Sequence, residues 1–117
     1  MKHLPLLKKL IKNSTHHQHR MACLILNKNR VISVGFNKVQ THPAVKSQFH
    51  MLHAETHAII GCSYEELKGC TAIIYRETKA GNPGMARCCP TCMLALQQVG
   101  IKKIIYSTID GFKEERI

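Results

Sequence analysis

Leu4, Leu7 and Ile11 recur at helical spacing, with Leu6 and Leu10 beside them and Lys8, Lys9 and Lys12 opposite. That pattern predicts an amphipathic first helix ending by Asn13-Ser14. Met21 to Leu26 is then an unbroken apolar run, Asn27 to Arg30 is a polar turn, and Val31 to Phe36 is extended again. The pair reads as a hairpin with at least one strand buried on both faces. A polar connection through His42-Pro43 leads to His53. Ala54 to Cys62 reads as a second helix, with Ala58, Ile59 and Cys62 on its buried side. Cys70 to Tyr75 predicts a third strand, and residues 76–88 a loop carrying Gly81, Pro83 and Gly84. Cys89 to Val99 predicts a third helix, with Pro90 in its first turn and Gly100 stopping it. Ile101 to Ser107 is a fourth strand, and the last ten residues read as a short polar tail.

A hairpin followed by strand, helix, strand, helix, strand order implies an α/β sandwich, parallel across its second half. No repeat, linker or low-complexity tract interrupts it, so residues 1–117 are expected to form one domain.

Composition narrows the setting. Apolar residues make up 44% and charged residues 21%, ordinary for a globular chain. Leu4 to Leu7 is too short for a secretion signal, and no stretch approaches the ~20 apolar residues of a membrane span. A cytoplasmic, reducing setting follows, in which the six cysteines bind metal or remain thiols. The net charge is +10, and Glu55 is the first acidic residue of the chain. That imbalance points to an anionic partner, either a phosphorylated small molecule or nucleic acid, or else to a plain solvated basic face. Aromatics at 5% give single strands few rings to stack on.

Two short motifs carry the chemistry. His53-Ala54-Glu55 and Cys89-Pro90-Thr91-Cys92 each open a predicted helix. One imidazole and two thiols are three zinc ligands, and a fourth position left to water would make the site catalytic. Thiols in the first turn of a helix are biased toward thiolate by its dipole. Glu55 is then a carboxylate placed to work on that water.

The two motifs together resemble the signature of the zinc-dependent cytidine and deoxycytidylate deaminases, His-Ala-Glu followed by Pro-Cys-x-x-Cys. The likeness runs from about Cys23 to Ser107 and includes Gly35-Phe36-Asn37, Ala86 to Cys92, Gly100 and Tyr106-Ser107. It implies a three-layer α/β/α sandwich of that family, an opening hairpin followed by parallel βαβ units. Carried over residue by residue, His53, Cys89 and Cys92 hold Zn2+, and Glu55 is the catalytic acid and base. Asn37 and the Ala54 main chain contact the substrate. The implied reaction is hydrolytic deamination of a cytosine nucleotide or nucleoside, deoxycytidine monophosphate foremost, by a homo-oligomer without membrane partners. Lys38, Arg76 and Arg87 are candidate phosphate contacts.

Two positions depart from the family. Cys88 stands where a proline usually precedes the first cysteine, so Cys88 with Cys92 is a second possible register. His57 replaces an asparagine common among the deoxycytidylate members. His53 and His57, four residues apart, also admit a closed structural site with Cys89 and Cys92, which would leave Glu55 idle. Editing of cytosine in single-stranded DNA or RNA, or of adenosine in tRNA, is a further alternative that the charge favours. His42 and His50 are candidates for a substrate mouth or plain loop residues, and His16, His17 and His19 read as a solvated connection. Cys23, Cys62 and Cys70 read as small buried hydrophobes.

Overall fold

The apolar run after Arg20 becomes β1 (Arg20–Asn27), the central strand of the hairpin side of the sheet. The computed structural model describes residues 2–12, 20–37, 54–60 and 62–117. Around β1 the elements are α1 (Leu4–Ile11), β2 (Arg30–Phe36), α2 (Ala54–Ile59), α3 (Tyr64–Leu67), β3 (Thr71–Glu77), β4 (Pro83–Gly84), α4 (Pro90–Gln98), β5 (Lys103–Thr108) and β6 (Gly111–Arg116). The strand order is β2-β1-β3-β5-β6, with β4 pairing to β3.

Sidedness explains why the β1 sequence is apolar throughout. Ala22, Leu24 and Leu26 point to one face, where Leu7 and Ile11 of α1 pack with Ile73 and Tyr75. Cys23 and Ile25 point to the other, against Ala54, Ala58, Leu96 and Ile104. A strand buried on both faces has no polar alternation to show. The helices therefore form two layers with the sheet between them, α1 on one side and α2 with α4 on the other. Burying Leu7 and Ile11 fully contributes about 1.5–3 kcal/mol each.

The sheet is mixed, and among the described residues its only parallel neighbours are β3 and β5, joined through α4. β1 runs antiparallel to both β2 and β3, and β5 antiparallel to β6. The predicted parallel character thus holds for one adjacent pair. β2 and β3 share a direction but lie on either side of β1.

Three further differences from the sequence reading have local causes. The helix predicted over 54–62 ends at Ile59, and a separate turn of helix, α3, follows. Ser63 starts α3 with a reciprocal capping box: Glu66 N–H donates to Ser63 Oγ at 3.2 Å and Ser63 N–H to Glu66 Oε1 at 3.0 Å. The loop 76–88 contains β4, clipped in place by Ser107, whose hydroxyl donates to the Gly84 carbonyl at 2.7 Å and accepts from Arg76 N–H at 3.0 Å. The polar tail is not a tail. Gly111, at φ 126°, turns the chain into β6, and Thr108 Oγ1 ties the corner by donating to the Gly111 carbonyl at 2.8 Å. Lys103–Glu114 and Arg87–Glu115 ion pairs then suit its charged sequence to an outer strand.

Among the described residues no helix is long and apolar enough to cross a membrane.

On the α1 face, Tyr75 is fully buried and donates to Glu77 Oε2 at 3.0 Å, while Glu77 also pairs with Arg20 at 3.3 Å. Burial first, and the bond to Glu77 second, push the phenol up to about 12. The neutral phenol is thus the form that folding favours. Its contribution is complete below the ordinary tyrosine value of about 10 and is lost as pH rises through about 12. Urea unfolding of the wild type and Tyr75→Phe should accordingly differ at pH 8, by about 1 kcal/mol in the wild type's favour, and that advantage should fall away as pH rises from about 10 toward about 12.

Candidate metal centre and active site

The site is built where α2 lands on the edge strand. A Cβ added to Gly35 would lie 2.5 Å from both Ala54 O and Ala58 N, so helix and strand backbones meet with no side chain between them. Two more contacts fix the docking. Ser33 Oγ donates to the Ala58 carbonyl, and the His57 ring closes on Phe36 edge-on, with centroids 4.8 Å apart at 89°. The first turn of α2, carrying Ala54 and Glu55, is thereby seated over Cys23 of β1. Ala54 is fully buried and Glu55 only 3% exposed.

From the other side comes α4. Cys89 is its N-cap, with φ −66° and ψ 161°, and its sulfur accepts from the Cys92 N–H at 3.5 Å. Pro90 follows at the first helical position, where its missing N–H costs nothing. Cys89 and Cys92 therefore share the opening turn of one helix. Cys88 sits just outside it and is buried against the core beside Glu55.

The electrostatics of the cluster have one sign. Burial, and then the charge of Glu55, hold the Cys88 and Cys92 thiols far above the ordinary cysteine value. Cys23 is raised for the same two reasons, with Cys88 adding to them. The helix dipole was expected to favour thiolate at Cys92; here burial and the neighbouring carboxylate outweigh it. A divalent cation reverses that balance, because it neutralises sulfurs and carboxylate together. Two thiols on one helix turn, with no disulfide among the six cysteines, are donors of the softness zinc takes. The residues fit the metal.

Asn37 follows β2 and is buried, its Oδ1 accepting from Met21 N–H at 2.9 Å and its N–H donating to the Met21 carbonyl at 3.2 Å. Of the candidate phosphate contacts, Arg87 is taken up by Glu115 at 2.9 Å. Arg76, next to last in β3, reaches the Met85 carbonyl at 3.5 Å. His53, Lys38, His42 and His50 lie outside the described residues, as do His16, His17 and His19. Among the described residues, no three histidine, cysteine or acidic side chains form a metal-holding group. Cys70 is buried as expected, whereas Cys62 is half-buried. No local pattern signals the His57–Phe36 contact or the Arg87–Glu115 pair, because each joins elements far apart in the chain.

Fold and site together define a class: a deaminase-type α/β domain in which Glu55 and the Cys89–Cys92 turn lie where two helices begin. The chain belongs to the cytidine and deoxycytidylate deaminase zinc-binding family, whose pattern it matches over residues 1–108, and zinc is that family's metal. The fold is shared with the dCMP deaminase of cyanophage S-TIM5, solved in complex with dCMP and dUMP. The TM-score is 0.58 and the identity 16%, over 90% of this chain and 77% of that one. It is shared too with the cytidine deaminase of Mycobacterium leprae, at TM-score 0.56 and 18% identity over 95% and 92% of the two chains. RibD of Acinetobacter baumannii matches at TM-score 0.55 and 21% identity over 88% of this chain, which spans only 26% of RibD. At these identities the likeness is one of fold. A search of curated proteins found no match.

Gly35→Ala tests the seating of the site. The new methyl group meets backbone, which cannot swing aside, so α2 must lift. A loss of about 1–3 kcal/mol in urea unfolding is expected, together with weaker zinc retention.

Proposed function

We propose that this chain is a zinc-dependent hydrolytic deaminase of a cytosine nucleotide or nucleoside, with deoxycytidine monophosphate the favoured substrate. One observation carries the reading. Glu55 is a carboxylate buried in the first turn of α2 beside the thiol-bearing start of α4. A purely structural zinc site has no use for a buried carboxylate at its margin, and burying one is costly.

Cys89 and Cys92, with His53 from the segment before α2, would hold the metal. When bound, zinc supplies a Lewis acid that makes a water acidic near neutral pH. Glu55 would accept one proton of that water and deliver it to ring N3, then take the second proton from the oxygen now bonded to C4 and pass it to the departing amine. The water oxygen ends on C4 and ammonia leaves, so one carboxylate serves both transfers in turn. The Ala54 main chain and Asn37 orient the pyrimidine and its sugar. Their burial keeps bulk water from competing for the ring.

The +10 charge supports an anionic substrate, and the cyanophage relative of like fold was solved with dCMP and dUMP. Arg76 and Lys38 remain the phosphate candidates, since Arg87 is engaged by Glu115.

The test is ammonia release together with the cytosine-to-uracil absorbance change, on zinc-loaded protein. Turnover of deoxycytidine monophosphate is expected, with Glu55→Gln keeping zinc but losing about 10²- to 10⁴-fold in kcat. Unchanged turnover in Glu55→Gln contradicts the mechanism. Deamination of single-stranded DNA or tRNA alone would replace the substrate.

A further inference from the structure

We propose that His57 is a positioning residue for substrate binding, its imidazole holding the Phe36 main chain so that Asn37 stays in register with the first turn of α2. This rests on the reading above in that Asn37 and Ala54 meet the substrate.

The argument starts from the edge of the sheet. Among the described residues β2 is the outermost strand, paired on one side only. Phe36 stands opposite Ala22, and the main-chain bond at this end is made by the next residue, Asn37 N–H to the Met21 carbonyl. In an antiparallel ladder bonded and non-bonded pairs alternate, so the N–H and C=O of Phe36 face away from β1. Outward-facing main-chain groups on an edge strand need water or a side chain.

His57 Nδ1 meets both. It lies 3.0 Å from Phe36 N and 3.1 Å from Phe36 O, accepting from the first in one tautomer and donating to the second in the other. The ring also packs edge-on against the Phe36 ring. The imidazole thus belongs to the helix that carries Ala54 and Glu55, and its grip falls on the residue just before Asn37. Asn37 is in turn bonded through Oδ1 to Met21. Substrate-facing groups from two elements are therefore joined by one side chain. Gly35 and Ser33 hold α2 to the strand independently of it. Loss of the imidazole should leave fold and metal in place and loosen only the Asn37 end. That predicts an effect on KM rather than on kcat.

His57→Ala and His57→Asn, both zinc-loaded, decide the matter. Asparagine places an amide near the level of Nδ1 and can bond the same main-chain groups. Backbone amide exchange is read at Phe36 and Asn37, and steady-state kinetics with deoxycytidine monophosphate. His57→Ala should speed exchange at both amides and raise KM roughly five- to thirtyfold with kcat little changed. His57→Asn should restore protection and KM. Unchanged exchange in His57→Ala overturns the proposal, as does a fall in kcat at constant KM. Loss of zinc would overturn it by making His57 a ligand. A wild type inert toward every cytosine nucleotide and nucleoside would remove the function proposed above. The exchange measurement would still decide whether His57 holds Asn37.

Discussion

Everything about the site depends on the absence of a side chain at Gly35. A helix laid directly on a strand is unusual, because side chains normally hold the two apart. Here the α2 backbone reaches van der Waals contact with β2, and any Cβ at residue 35 would overlap Ala54 O and Ala58 N. That closeness draws the first turn of α2 down onto the sheet, over Cys23. A carboxylate in that turn is then buried whether or not burial suits it.

The second constraint is electrostatic. Glu55 shares its surroundings with the thiols of Cys23, Cys88 and Cys92, and burial first and its charge second discourage their ionisation. Such a cluster is costly without a cation and well matched to one. The family's zinc resolves the conflict that the packing creates. The outer strand β6 steadies the approach to this centre, since Glu115 holds the arginine immediately before Cys88.

Much of this was legible in the chain. The helical spacing of Leu4, Leu7 and Ile11 gave α1, and Pro90 with Gly100 bracketed α4 nearly to the residue. The two motifs pointed to the family to which the chain belongs, and the continuous apolar run after Arg20 gave a strand buried on both faces. What escaped was of two kinds. The Ser63–Glu66 capping box is a local signal, overridden by the helical pattern running up to Cys62. β6 has one apolar residue, Phe112, among charges; its pairing depends on partners such as Lys103 that a linear pattern does not reveal. The His57 contact with Phe36 is of the same kind, because it exists only once β2 is known to be an edge.

The central claim is that two motifs converge on a zinc with an open position. X-ray absorption at the zinc edge tests it most directly. The account predicts two sulfur neighbours at about 2.3 Å and two lighter ones, of which a single one is imidazole. Two imidazoles would describe a closed structural site with His57 as the fourth ligand, and three sulfurs would bring Cys88 onto the metal. Either result would contradict the account.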